Sequence, residues 1–200
     1  MKKKLEHMER SDHHIICQII EENARVIDLG CGDGKLLKLL AHTKQINGCG
    51  IEISAEGVRT SISKGLSVIQ GNLEEIISNY PDNHFDYSIL SQTLQELRNP
   101  DFVLDQMTRI SHHALIAFFN LAHLKFRLKI LFKGRFPQSK DMPYSWQNTN
   151  ILFLSVKEFD FYCQSHGLQI TRRFFIARDK LIHVWPNLRA DLCIFEISRL

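Results

Sequence analysis

Val26-Ile27-Asp28-Leu29-Gly30-Cys31-Gly32-Asp33-Gly34 is the stretch that decides the fold. Arg25 to Leu29 is an apolar run of strand length interrupted by one carboxylate, and three glycines in alternate positions follow it. An apolar helical pattern then begins at Lys35 and continues to about His42. Strand, tight turn and helix in that order open a unit of a parallel sheet, where ligands sit beyond the carboxyl ends of the strands. Glycines in the turn let the backbone approach a ligand closely, and the helix behind them presents unpaired N–H groups.

Outward from this turn the alternation repeats. Gly48 to Ile53 reads as a strand, Ser54 opens a helix, Ser67 to Gln70 is a strand, and a short helix starts at Leu73. Asp86 to Ser91 is the fourth strand. Asn99-Pro100 then supplies a cap and a proline at the first helical position, for a helix ending near Ile110, and Ala114 to Phe119 is the fifth strand. Upstream, Asp12 is expected to cap a helix running to about Asn23. Downstream, Ser155-Val156-Lys157-Glu158 is a capping box whose helix closes at Gly167. Leu168 to Ile176 and Asp191 to Ser198 are β-rich with no helical pattern between them, as in an antiparallel pair. The expectation is a single α/β domain over 1–200: a doubly wound, mostly parallel, seven-stranded Rossmann-like sheet with an antiparallel C-terminal strand pair.

Asp28 discriminates among ligands for such a turn. A dinucleotide wants Gly-x-Gly-x-x-Gly and room for a pyrophosphate, which a carboxylate repels, and Lys35 occupies the third glycine position here. The ammonium group at the methionine end of S-adenosylmethionine would instead pair with Asp28 directly or through water. Glu52 ends the second strand 22 residues after Gly30, where a carboxylate accepts hydrogen bonds from ribose hydroxyls. Ile53 can pack on the adenine, Asn72 can pair with its edge, and Leu73 can close over its face. Gly30, Gly32 and Gly34, with Cys31 between the first two and Ser91 at the end of the fourth strand, complete the expected cofactor-binding set.

Composition limits the alternatives. The five cysteines, at 17, 31, 49, 163 and 193, form no Cys-x-x-Cys pair and are expected as reduced thiols, with no metal site. A net charge of +3 does not imply nucleic acid, and Met1-Lys2-Lys3-Lys4-Leu5-Glu6 lacks the apolar core of a signal peptide, so a cytoplasmic location without membrane attachment is expected. Charge is nevertheless uneven: Lys125, Arg127, Lys129, Lys133, Arg135 and Lys140 share a stretch containing no acid.

The glycine motif resembles that of class I S-adenosylmethionine-dependent methyltransferases, and the likeness extends over nearly the whole chain. A closer resemblance is to the methionine biosynthesis family called MetW. It rests on Ser91-Gln92-Thr93-Leu94-Gln95, then Asn120 with His123 and Arg127, Gly134-Arg135 with Pro137, and Pro143-Tyr144 with Trp146. These patches make 120–154 a family-specific insert. The resemblance implies binding of S-adenosylmethionine and participation in methionine synthesis beside a homoserine O-acyltransferase of the MetX type. It does not imply any particular methyl acceptor. Asn72 stands where the wider fold usually has Asp, keeping an acceptor and removing a charge. Gln147, Asn148 and Phe153 depart from the family's usual choices, and no role is carried onto them.

Candidates for catalysis are sparse. Methyl transfer requires positioning, and a general base only when the acceptor holds a proton. Gln92, Gln95, Glu96, His123 and Tyr144 are polar and suitably placed, but none forms an acid/base pair; Glu96 and His123 read as solvated or capping groups. His13-His14 and His112-His113 read as surface or strand-edge residues. Residues 121–133 read as a core-packed helix with a lysine face, the alternative being a lid or a docking surface, although alternation from Leu124 to Ile130 also permits a strand. Two functions follow: an accessory subunit sensing adenosylmethionine beside the acyltransferase, or an active methyltransferase on a small molecule. Phe136, Tyr144 and Trp146, which alternate with the prolines at 137 and 143, suit an interface core, the alternative being that Trp146 plugs the domain core.

Overall fold

A computed structural model describes residues 12–134 and 153–199. Helix α1 spans residues 12–19, and Ile15, Ile16 and Ile19 recur on one face and are buried. It ends earlier than the sequence suggests, because Asn23 takes a positive φ of 60° and donates its N–H to the Lys44 carbonyl at 2.9 Å.

The strands are β1 (Arg25–Leu29), β2 (Asn47–Glu52), β3 (Ser67–Gln70), β4 (Phe85–Ser91), β5 (Ser111–Phe119), β6 (Leu168–Ala177), β7 (Lys180–Leu181) and β8 (Leu192–Arg199). The helices after α1 are α2 (Lys35–Lys44), α3 (Ala55–Ser63), α4 (Leu73–Ile76), α5 (Pro100–Ile110), α6 (Leu124–Lys133), α7 (Val156–Ser165) and α8 (Pro186–Arg189). All strands join one sheet in the order β3-β2-β1-β4-β5-β8-β6-β7. Pairing is parallel from β3 to β5 and antiparallel from β5 to β7. The strand order reverses between β1 and β4, so the ends of those two strands form the crevice where an α/β sheet takes its ligand.

The α/β architecture and the antiparallel C-terminal pair are as expected, but among the described residues the sheet has eight strands and not seven. The extra strand, β7, pairs Lys180 with Ala177 and Leu181 with Ile176 around a two-residue turn. Arg178 and Asp179 have φ of 50° and 63°, the paired positive values of a type I′ turn. Neither residue is glycine or asparagine, and two residues are too few for a period, so no sequence signal marked it.

The sheet buries both faces. On one, Phe118 stacks on Phe195 with ring centroids 5.6 Å apart and Phe159 of α7 packs against both. On the other, the isoleucines of α1 meet Leu36 and Leu40 of α2. Three helix starts carry the expected caps: Ser54 accepts from Gly57 N–H, Asn99 from Phe102 N–H, and Ser155 from Glu158 N–H. Among the described residues no helix is long and apolar enough to cross a membrane.

Asn120 closes the sheet at its ligand end. Fully buried just after β5, it donates Nδ2–H to the carbonyls of Asn187 and Ala190 at 3.1 and 3.0 Å, and its Oδ1 accepts from Ala122 N–H at 3.1 Å. It thereby fastens the α8 turn to the end of β5. Asn120→Ala leaves these backbone groups unpaired and is expected to cost about 2–3 kcal/mol, seen as a melting point lower by about 4–12 °C in a domain of this size. A loss under about 1 °C in a thermal melt would show that the fastening is dispensable.

Candidate functional site

The turn after β1 is built from backbone. Gly30 and Cys31 donate N–H to the Ile51 carbonyl at 2.8 and 3.1 Å, which ties the loop to β2. Gly30 has φ of 78°, and a Cβ there would lie 2.5 Å from Thr93 Oγ1, so only glycine fits between β1 and the turn after β4. Gly34 has φ of 73°, and a Cβ would meet Leu66 and Ser61. Its glycine serves packing at the start of α2.

Two cavities open at this end of the sheet, and Gly30 lines both. The first, about 260 Å³, brings together Asp28, Gly30, Cys31, Gly32 and Ser91 with His13, Lys35 and Gln92. The second, about 360 Å³, gathers Gly30, Glu52, Ile53, Asn72 and Leu73 with Thr93, Glu96 and Arg98. Nine of the ten residues expected at the ligand therefore border one cavity or the other, and Gly34 borders neither.

The side chains of the second cavity are partly engaged. Glu52 accepts from Gly32 N–H at 2.8 Å through one oxygen and from Ser54 N–H at 2.7 Å through the other. Each oxygen keeps a further lone pair for a hydroxyl donor. Asn72 caps α4, accepting from Glu74 N–H at 3.1 Å and donating to Glu75 at 3.2 Å. Ile53 is 70% exposed and offers an apolar face, while Leu73 is buried beneath.

Charge is concentrated in the first cavity. Asp28 is 3% exposed, and among the described residues its carboxylate has no hydrogen-bond partner. Burial, with the charges of Glu52 and Asp12 adding to it, pushes its carboxyl up to about 7. Burial likewise pushes Asp12 up to about 6, against hydrogen bonds from Ser91 and Gln92 that favour the charged form. His13 is driven down to about 4 by burial and by the nearby charge of Lys35, so it is neutral at pH 7. Burial raises Cys31 to about 12 and keeps it a thiol. Lys35 pairs with Asp33 at 3.2 Å.

Asp12 and His13 are the residues that the sequence reading missed. Asp12 reads as a helix cap, yet its Oδ2 accepts from Ser91 Oγ at 3.0 Å and from Gln92 Nε2 at 3.1 Å. The available signal was its position: Asp12, Ile15, Ile16 and Ile19 follow the i, i+3, i+4, i+7 pattern, which puts the carboxylate on the buried face. His13 lines the cavity instead of lying on the surface. Gln92 adds a second mark, holding φ of 60° with a side chain larger than glycine's.

Other candidates fall elsewhere. Gln95 is buried and bonds both N–H and carbonyl of Phe119 at 3.3 Å, a brace on β5. His123 caps α6 through Nδ1, accepting from Lys125 N–H at 3.0 Å. Arg135, Phe136, Pro137, Pro143, Tyr144, Trp146, Gln147 and Asn148 lie outside the described residues. Residues 124–133 form a helix and not a strand, but the expectation of core packing fails: α6 buries no residue, and Leu131 and Phe132 are 74% and 78% exposed.

Comparison with known proteins agrees with this architecture. A methyltransferase of the S-adenosylmethionine-dependent type from Thermotoga maritima superposes with a TM-score of 0.69 at 16% identity, covering 98% of this chain and 92% of that one. Magnesium protoporphyrin IX methyltransferase from Synechocystis, solved with bound S-adenosylhomocysteine, gives 0.66 at 14% identity over 99% and 84%. A bifunctional methionine biosynthesis protein MetXA/MetW from Rhodopirellula baltica is 32% identical over an alignment of 202 positions that covers 94% of this chain. The chain spans about a third of that relative's length, 32%. Because the model of the methionine biosynthesis protein MetW family matches residues 10–197, nearly the whole of the sequence, the chain belongs to the MetW family.

Proposed function

We propose that this chain binds S-adenosylmethionine across the two cavities and acts in methionine biosynthesis as an accessory subunit of a MetX-type homoserine O-acyltransferase. The observation that carries the reading is Asp28: a nearly buried carboxylate, unbonded among the described residues and open to a cavity, fits a ligand ammonium group. The neighbouring cavity fits the nucleoside, with Glu52 for the ribose hydroxyls, exposed Ile53 for the adenine face and Asn72 for its edge. When bound, the cofactor would bring an electrophilic methyl group and a sulfonium charge. The chain's own residues orient it: Gly30 lets it cross from one cavity to the other, Asp28 holds its ammonium end and Glu52 its ribose.

The partnership is supported by the Rhodopirellula baltica relative, whose description joins MetXA with MetW in one chain. The surface of α6 suits a second protein. Leu124, Leu128, Leu131 and Phe132 are exposed, Lys125, Arg127, Lys129 and Lys133 stand among them, and 121–134 contains no acidic residue.

Ligand binding to the native state alone raises apparent stability. At about a hundredfold excess over its dissociation constant, S-adenosylmethionine is expected to raise the melting temperature by about 5–10 °C, and NAD by nothing measurable. Glu52→Gln should remove most of the shift, since one of two carboxylate acceptors becomes a donor facing backbone N–H groups. An equal shift with NAD would overturn the ligand assignment.

Affinity should also depend on pH. The Asp28 carboxyl is raised from 3.8 to about 7 by folding, so the ligand-free protein holds an extra proton between those values and loses that stabilisation as pH climbs through 7. A cationic ligand needs the carboxylate, so its dissociation constant is expected to fall about tenfold from pH 6 to pH 8 and then level off. Calorimetric titration at pH 6, 7, 8 and 9 checks this, and a flat profile would remove Asp28 from ligand contact.

For the partnership, homoserine acylation by the acyltransferase should rise when this chain is added. The double substitution of Leu131→Asp and Phe132→Asp should abolish that rise while leaving the ligand-induced melting shift intact. Unchanged acylation on adding the chain, together with adenosylhomocysteine accumulating from metabolite pools, would instead favour an active methyltransferase.

A further inference from the structure

Helix α1 carries a negative charge to the ligand site that the surrounding hydrogen bonds do not require. Asp12 is fully buried, and among the described residues every donor that reaches it is neutral: the His13 N–H at 3.0 Å, Ser91 Oγ at 3.0 Å and Gln92 Nε2 at 3.1 Å. An asparagine whose oxygen took the Oδ2 position would accept the Ser91 and Gln92 bonds without a charge and lose only the bond from His13 N–H to Oδ1. The charge is also costly where it lies, because burying an ion without a counter-ion is unfavourable.

Two further carboxylates share this end of the sheet. Among the described residues Asp28 has no hydrogen-bond partner, and it lines the cavity; Glu52 is held by two backbone N–H groups, and the charges of Asp12 and Glu52 both act on Asp28. Among the described residues the nearby cations are engaged elsewhere, with Lys35 and Lys64 on Asp33 at 3.2 and 3.3 Å, and His13 is neutral at pH 7. The site therefore holds more negative charge than one ligand ammonium group offsets.

Asp12 also shapes the cavity floor. The side chain of Gln92 bonds to Asp12, while its backbone sits at φ of 60°, a conformation that side chains larger than glycine's adopt at a cost. The backbone N–H of Gln92 is fixed at the same time on the Ala117 carbonyl at 2.7 Å. Gln92 and Ser91 line the cavity and Asp12 lies behind them.

We propose that Asp12 is a charge-selecting positioning residue: from behind Ser91 and Gln92, its buried carboxylate makes the cavity prefer a ligand bearing a sulfonium cation over the neutral thioether left when the methyl group has gone. The inference rests on the reading that this chain binds S-adenosylmethionine. Methyl donor and thioether share the ammonium, carboxylate and nucleoside groups, so contacts with those groups discriminate little between them. They differ by one positive charge, and in a site poor in water a fixed charge acts beyond contact distance, its effect falling inversely with separation. Such a site reports whether the methyl donor is present, which is the quantity an accessory subunit of methionine synthesis would read.

Calorimetric titration of the whole protein at pH 8 with S-adenosylmethionine and S-adenosylhomocysteine tests this. The wild type is expected to bind the methyl donor about tenfold more tightly than the thioether. D12N should weaken the methyl donor about five- to tenfold and the thioether less than about twofold, bringing the two together. S91A, which removes a donor and leaves the charge, should weaken both by a similar factor. Equal weakening of both ligands by D12N would make Asp12 merely structural, and a wild type that prefers the thioether would overturn the proposal even if D12N failed to fold. Binding of neither ligand by the wild type would instead sink the cofactor assignment on which the proposal rests.

Discussion

The ligand end of the sheet depends on the clamp that Glu52 forms between Gly32 N–H and Ser54 N–H. One side chain joins the end of β2, the glycine loop after β1 and the first turn of α3. The closeness of these segments is measured by Gly57, where a Cβ would fall 2.8 Å from the Gly32 carbonyl oxygen. Hydrogen bonds from N–H groups to a carboxylate are among the stronger ones, and here they offset the cost of holding that carboxylate 8% exposed. With the loop so fixed, Gly30 stands between the two cavities, and Thr93 closes the gap from β4.

Around this clamp the electrostatics are lopsided. Asp12, Asp28 and Glu52 come from three separate segments, and the two aspartates are raised well above the ordinary carboxylate range. In a fold held by a small margin such a concentration of like charge is a local weakness. It is tolerated here beside cavities, where a cation would relieve it, and strain at Gln92 lies in the same place. Local conflicts with otherwise consistent structure mark sites where function outweighs stability.

Much of this was legible in the sequence, for reasons that can be stated residue by residue. The glycine loop, the carboxylates at 28 and 52 and the caps at Ser54, Asn99 and Ser155 are local signals, each complete within a few residues. What escaped is non-local or lacks a period. The bond from Asp12 to Ser91 spans 79 residues, so the aspartate looks like an ordinary cap until β4 is placed beside α1. Strand β7 is too short to alternate, and its turn is built from Arg178 and Asp179 in positive φ without the usual glycine. In α6 the apolar stripe was visible, but periodicity reports that a helix has an apolar face and not what covers it.

That uncovered face gives the molecule two regimes of cooperativity. Strands β4 and β5 are paired on both sides and packed on both faces, so their amides open only when the whole domain does. Helix α6 has ten residues and none of them buried, a length at which helix formation in water is marginal without tertiary support. Its order is therefore set by the His123 cap, the Lys125–Asp191 ion pair at 3.5 Å that ties its first turn to the start of β8, the αL turn at Gly134 and whatever covers Leu131 and Phe132. A surface of this kind can form and dissolve without disturbing the core. A partner that covered it would supply its folding free energy from the association itself, and affinity would be reduced by the cost of ordering it.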